Sequence, residues 1–430
     1  MRIPTAITAA AAGLQLTNAL QLDLTSPASL RNASSTLAYG VMSWYQNNQS
    51  STAETAIGTL PAPSYWWEAG AVWGAMIDYW AYTNDTSYNP TITQALLAQV
   101  GPDNNYMPPA YFSSLGNDDQ AFWATAVLTA LEYGFPDPPQ GSPQWLQLAE
   151  AVFNTMHLQR GFFQIAARLA HYTGNSTYYE WAEKIWDWTQ GVGLIGPNFD
   201  VYDGTDDTIN CTRQDHTLWS YNPAIFIYGT AILYNYTNAS TIWADRTAGL
   251  LQAANRSFFH EYSNASNVLS EPSCEPQGTC NYDQYSFKAY MARWLAKTTI
   301  VAPFTRSAVL PMLNTSAQAA ARSCSGGNDG VTCGAKWYTG AYDGNYGVGQ
   351  ELSALEVVQA LLISDAPALM RQDSVKIEDA PTSTLNPSAA ATTSADSSAV
   401  VYRAKEEKAG TVALVAALGA LVWGMGFGLS

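Results

Sequence analysis

Charge is scarce in this sequence. Of its 430 residues only 13% are Asp, Glu, Lys or Arg, and 19 basic residues stand against 35 acidic ones, a net charge of −16. A nucleic-acid surface needs clustered Lys and Arg to meet phosphates, so that class of partner is excluded. Histidine is rare too, with 4 residues, and there are only 5 Cys. With no HExxH and no His/Cys cluster, no metal site is expected, and no cofactor. Neither GxSxG nor a Walker-type phosphate loop occurs. Strand-like alternation is nearly absent, which argues against a sheet-based fold.

What is abundant is apolar. Hydrophobic residues make up 47% of the chain, enough for a large core. The 15 Trp and 25 Tyr suit carbohydrate binding, where rings stack on sugar faces, and equally suit a plain large core.

Both ends read as export signals. In "MRIPTAITAAAAGLQLTNALQL" one Arg precedes a short apolar stretch, and the small residues Thr17 and Ala19 precede a cleavage point, which predicts a signal peptide over 1–19. Residues 373–408 are rich in Ser, Thr, Ala and Pro and read as an extended stalk. Small residues, the polar spacer "YRAKEEKAG" and the apolar tail 409–430 form the pattern of a GPI-anchor signal, with attachment expected at 394–398. The chain is therefore expected on the secretory route, anchored at the outer face of the plasma membrane or in a cell wall. Sequons at Asn32, Asn48, Asn84, Asn175, Asn210, Asn235, Asn238, Asn255, Asn264 and Asn314 fit that route. Cys274 with Cys280, and Cys324 with Cys333, close short loops in an oxidising compartment, which leaves Cys211 over.

Residues 20–372 read as one helical domain. Some helices are amphipathic: in "STYYEWAEKIWDWTQ" the residues Tyr178, Trp181, Ile185 and Trp188 share a face. Six others are apolar or small nearly all round and must be buried, for example "YWWEAGAVWGAMIDYW" and "DDQAFWATAVLTALEYG". Marked by Trp67, Phe122, Phe162, Tyr221, Phe287 and Gly349, they recur in steps of 55, 40, 59, 66 and 62 residues. A period near 60 is two helices and two loops. Six such hairpins predict an all-α (α/α)6 toroid, with buried helices inside and amphipathic ones outside. The step from Phe122 to Phe162 is about one loop short.

In such a ring all six buried helices open at one mouth. Trp66, Trp67, Glu68, Asn117, Asp118, Asp119, Phe122, Trp123, Tyr221, Asn222, Lys288 and Gln350 would line it, and aromatic walls with amides and acids make a sugar site. Glycosidic cleavage needs two carboxyl groups, one to protonate the leaving oxygen and one to attack or to activate water. Adjacent Asp118 and Asp119, entering a helix, could supply both, because a neighbouring carboxylate raises its partner's pKa. A plain helix start is the competing reading: Asn117 is a good N-cap, Gln120 completes a capping box, and the two aspartates then only favour the helix dipole. The two readings are compatible. Asp203, Asp283 and Asp343, in loops near the mouth, read first as turn residues, and Asp203 and Asp343 also stand among the candidate substrate-binding residues.

These stretches, together with "GFFQIAARLAHYTGN", "NCTRQDHTLWSYNPA", "YSFKAYMARWLA" and "YDGNYGVGQELSALEVVQALL", resemble glycoside hydrolase family seventy-six, the endo-α-1,6-mannanases, and most closely its fungal GPI-anchored cell-wall members. The resemblance covers most of residues 20 to 365. It implies an (α/α)6 barrel, with Asp118 as nucleophile and Asp119 as general acid/base of a retaining mechanism. It implies α-1,6-mannan or a GPI-core glycan as substrate, with a β-glucan acceptor for a transglycosidase that joins GPI-proteins to wall glucan. Simple endo-hydrolysis is the alternative. One departure stands out. Family members carry, before the third buried helix, a loop with a Cys, a glycine run and an Arg-Trp pair, and here "FNTMHLQRGFF" replaces it. The missing Cys would be the partner of Cys211, and a chain lacking that cleft wall could be an impaired glycan-binding or structural protein.

Overall fold

The computed structural model describes residues 19–49, 51–113, 115–116, 118–156 and 160–374. The signal peptide as far as 18, and the stalk and tail beyond 374, lie outside the described residues, and so does Asn117. Twelve α-helices are described: α1 (Pro27–Ser43), α2 (Trp66–Thr83), α3 (Asn89–Ala98), α4 (Asp119–Tyr133), α5 (Trp145–Thr155), α6 (Arg160–Thr173), α7 (Ser176–Gly191), α8 (Tyr221–Tyr236), α9 (Thr241–Phe258), α10 (Phe287–Val301), α11 (Arg306–Ser323) and α12 (Val348–Gln359). Every marker of a buried helix falls in the first turn of an even-numbered one. Among the described residues no helix is long and apolar enough to cross a membrane.

The even-numbered helices form a closed inner ring. Each packs on the next in order, and α12 returns to α2. They run in parallel, so early residues meet early residues: Tyr221 of α8 lies 4.6 Å from Phe287 of α10 between ring centroids. At the other end, Gln359 of α12 donates to the carbonyl of Ala75 on α2 at 3.2 Å. Two contacts require glycine. A Cβ on Gly70 of α2 would stand 2.7 Å from the Trp123 ring of α4, and one on Gly229 of α8 would stand 2.5 Å from Phe163 of α6. The odd-numbered helices pack outside as an (α/α)6 barrel requires. On α7 the buried line is Tyr178, Ala182, Ile185, Trp186 and Thr189. Trp181 and Trp188, expected on that face, are only half-buried, because the buried line is centred on 178, 182, 185 and 189 and both tryptophans project to one side of it.

Loop length divides the two ends of the barrel. Inner-to-outer connections are short, as at 174–175 and 237–240. Outer-to-inner connections are long, as at 192–220 and 259–286. These long connections carry the three two-stranded hairpins that the sequence pattern did not announce: β1 (Gly204–Thr205) with β2 (Gln214–Asp215), β3 (Phe259–Tyr262) with β4 (Ala265–Leu269), and β5 (Cys324–Gly326) with β6 (Thr332–Cys333). Strands of two to five residues give alternation little length in which to register. The disulfides Cys274–Cys280 and Cys324–Cys333 pin the same layer. The exception is the connection from α5 to α6, which is only 156–159. That is the sector where the spacing fell short.

Candidate active site

The mouth is built on helix N-termini. α2 starts with a capping box in which Tyr65 N–H donates to Glu68 Oε2 at 2.7 Å. α4 starts one residue later than the Asn117 cap predicts. Asp118 is its N-cap residue and makes no side-chain capping bond, while Asp119 Oδ2 reaches back to accept from Gly116 N–H at 2.8 Å. Gln120 is buried, and its Oε1 accepts from the Thr155 hydroxyl of α5 at 3.2 Å.

Both aspartates curl over the same turn. A Cβ on Gly116 would stand 3.2 Å from Asp118 Oδ1 and 3.3 Å from Asp119 Oδ1. Two oxygens that close to one point are at most about 6.5 Å apart, which fits the roughly 5–5.5 Å of a retaining pair better than the wider gap of an inverting one. Burial raises the Asp119 carboxyl to about 7, the charge of Asp118 adds to it, the Gly116 N–H opposes it, and Asp283 raises it further. A carboxyl poised there holds a proton at neutral pH and can release it, as a general acid/base must.

Below the pair, aromatic rings form the floor. Trp67 lies 4.4 Å from Phe122 and 5.9 Å from Tyr290, and Phe122 lies 5.0 Å from Tyr290. Tyr221 closes one side against Phe287. The buried Asn222 donates to Asp203 Oδ1 at 3.2 Å, so a loop acid joins the mouth across the α7–α8 connection. Asp283, at the turn entering α10, is buried and accepts from Gln284 N–H at 2.9 Å. Burial raises its pKa, and the charges of Asp118 and Asp203 add to the shift. Glu68 is raised to about 8, again mainly by burial, against the Tyr65 N–H. Asp118, Asp119, Asp203, Asp283 and Glu68 therefore face one mouth.

Other expected site residues sit differently. Trp66 ties its indole N–H to Gln99 Oε1 at 2.7 Å and stacks on Trp123 at 4.9 Å. Trp123 itself has no exposed surface, so it backs the wall and cannot stack on a sugar. Lys288 is a correction. Its ammonium is buried in an ion pair with Glu275 at 2.6 Å, over the Trp337 ring at 4.1 Å and against the Ala335 carbonyl. Asp343 is another. Its carboxylate accepts from the backbone N–H groups of Ala335, Lys336 and Asn345, which shapes the loop before α12. Gln350, in the first turn of α12, donates to Asn345 Oδ1 of that same loop. Tyr290 went unnoticed in the sequence, although it stands three residues after Phe287 on the same helix face, which was the available signal.

With this geometry in view, the family model of glycosyl hydrolase family 76 matches residues 29–160 and 157–373. The chain belongs to glycosyl hydrolase family 76. The two matched stretches meet at 157–160, where the α5–α6 connection is short. The chain is 44% identical to the mannan endo-1,6-alpha-mannosidase DCW1 of Saccharomyces cerevisiae, over 82% of this chain and 84% of that one. That alignment runs over 385 positions, more than 82% of 430 residues can fill, so it includes positions this chain does not have. Among solved structures, Dfg5 from Chaetomium thermophilum in complex with glucosamine superposes with a TM-score of 0.78 at 37% identity, over 82% of this chain and 95% of that one. An inactive variant of the α-1,6-mannanase GH76A of Salegentibacter, with two consecutive aspartates replaced by asparagine and α-1,6-mannotriose bound, shares the fold at a TM-score of 0.59 and 15% identity, over 77% of this chain and 99% of that one. In that mannanase the variant lacking the two consecutive aspartates is inactive.

Proposed function

We propose that the chain is a retaining, α-1,6-mannan-active enzyme of the fungal cell wall that acts as a transglycosidase on the mannose core of GPI anchors and joins the attached protein to wall glucan. The observation that carries the reading is the adjacent pair Asp118 and Asp119 curled over Gly116, with Asp119 poised near neutrality. In the first step an Asp118 oxygen bonds to the anomeric carbon, the glycosidic bond breaks, and the Asp119 proton goes to the leaving oxygen. In the second, Asp119 takes the proton of an acceptor hydroxyl, whose oxygen displaces Asp118 and restores the free enzyme. The bound mannotriose of the Salegentibacter enzyme and the bound glucosamine of Dfg5 support a substrate of mannose and amino sugar. The mannosidase activity in the name of DCW1 supports the linkage. Export through the secretory route and a GPI anchor belong to the same reading, supported by the end sequences and by two disulfides.

The purified ectodomain, incubated with a GPI-core mannoside and a β-glucan acceptor, tests this. A mannoside joined to glucan is the expected product. Free oligosaccharide alone would instead make the protein a simple endo-hydrolase. No product, with glycan binding retained, would make it a binding protein. That last reading is favoured by one observation, the family match that divides at 157–160. Sequencing the transcript across codons 155–162 shows whether the shortened connection is encoded as it stands.

A further inference from the structure

On the outside of the barrel, a trough of about 410 Å³ lies between α9 and α11. Leu251, Ala308 and Met312 give it apolar walls, and Phe304 stands at its edge with 44% of its surface exposed. Tyr234 packs against that ring in a T-shaped contact at 5.1 Å, which fixes the ring without covering it. An exposed ring over an apolar trough offers apolar area that a bound group can cover. Asn255 also lines the trough. It is exposed, and it opens the sequon Asn255-Arg256-Ser257. Other sequon carboxamides are used by the fold: Asn175 caps α7, Asn235 meets His171 and the Val301 carbonyl, and Asn264 donates to the Thr339 carbonyl.

We propose that Asn255 carries an N-linked glycan whose first N-acetylglucosamine residues lie in the α9–α11 trough over Phe304. In the modification the Asn255 carboxamide nitrogen bonds to the anomeric carbon of a lipid diphosphate-linked oligosaccharide. The lipid diphosphate leaves, and one carboxamide proton is lost. The fit is chemical. The C–H face of the pyranose covers the Phe304 ring, the acetyl methyl enters between Leu251 and Met312, and the carboxamides of Gln252 and Asn267, which also line the trough, face the sugar's polar groups. The covalent tether keeps the sugar at high local concentration, so weak contacts suffice to hold it there. The proposal rests on export of the chain and is independent of the reaction at the mouth.

The test uses the full chain secreted from a eukaryotic host. Glycopeptide mass spectrometry is expected to find Asn255 occupied. Hydroxyl-radical labelling of Phe304 is expected to be several-fold lower in the glycosylated protein than in Asn255→Gln. Asn255→Gln should lower the melting temperature in the native background and hardly at all beside Phe304→Ser. An unmodified Asn255 in a protein glycosylated at other sequons overturns the proposal. Equal labelling of Phe304 with and without the glycan overturns it, and so do additive effects of the two substitutions. Absence of glycan at every sequon overturns the export reading and this inference together.

Discussion

The closed end of the barrel and the acids facing the mouth differ in how their burial is compensated, while Glu275, which pairs with Lys288 behind the mouth, follows the closed-end pattern. At the closed end, Arg168 of α6 makes two bonds to Glu132 of α4, at 2.8 and 2.7 Å, and also reaches the Thr125 carbonyl and the Thr129 hydroxyl. Lys297 of α10 lies 2.8 Å from Asp78 of α2, and Arg293 bridges Asp78 and Glu356 of α12. Three acids and three bases thus link five of the six inner helices, and Arg168 lies over the Tyr228 ring of the sixth, α8. At the mouth, Glu68, Asp119 and Asp283 are largely buried, but among the described residues no ion pair reaches any of them. Buried charge with a counter-ion organises helices, whereas a buried carboxyl without one holds its proton to higher pH and becomes available for proton transfer.

Four single substitutions and one double change would break or sharpen this contrast. The largest effect is expected at the mouth. Asp118→Asn should lower turnover by about 10⁴-fold or more while leaving the melting temperature near the native value. A protein that loses stability instead would show that the pair belongs to the fold. At the closed end, Arg168→Met leaves Glu132 buried and unpaired, which should cost about 3–5 kcal/mol in urea unfolding. The double change Arg168→Met with Glu132→Leu should recover most of that loss, and specific activity of the folded fraction should survive. Failure of the recovery would mean that the ion pair does more than neutralise itself.

Glu68→Gln should act through pH. Its folded pKa of about 8 lies above the ordinary 4.5, so the folded state binds the proton more tightly than the unfolded one. Stability from this group is full below 4.5 and falls as pH rises toward 8, with a slope of up to about 1.4 kcal/mol per pH unit. Unfolding measured between those limits should show a shallower decline in the variant, and an unchanged slope would place the titration elsewhere. The smallest effect is expected at Asp283→Asn. Removing its negative charge lowers the Asp119 pKa, so the alkaline limb of the pH–rate profile should move toward acid by less than about one unit. A shift toward alkali would contradict the like-charge account.

The mouth was more legible than the closed end. Asp118 and Asp119 are adjacent in sequence, so their pairing survives any error in the placement of other elements. Asp203 and Asn222 were readable as mouth residues because both precede or open a buried helix. Lys288 and Asp343 misled for one shared reason. Position near a helix start says that a side chain is at the mouth end, not that it points into the opening, and both are held by loop groups instead, Lys288 by Glu275 and Ala335, Asp343 by Ala335 and Lys336. The closed-end network gave a weaker signal, single charges inside helices that are otherwise apolar. Such charges must find partners, but which partner depends on how neighbouring helices are rotated.

Periodicity and apolar content by themselves determined the six helical hairpins, because a helix that is hydrophobic on every side has only an interior to occupy, and six in sequence close a ring. Local chemistry likewise determined the two short disulfide loops and the acid pair. Tertiary structure alone decided how each buried acid is compensated. The glutamates at 68 and 356 are chemically alike, but Glu68 is buried without a cation, which pushes its carboxyl up to about 8, whereas Glu356 is buried against the Arg293 guanidinium.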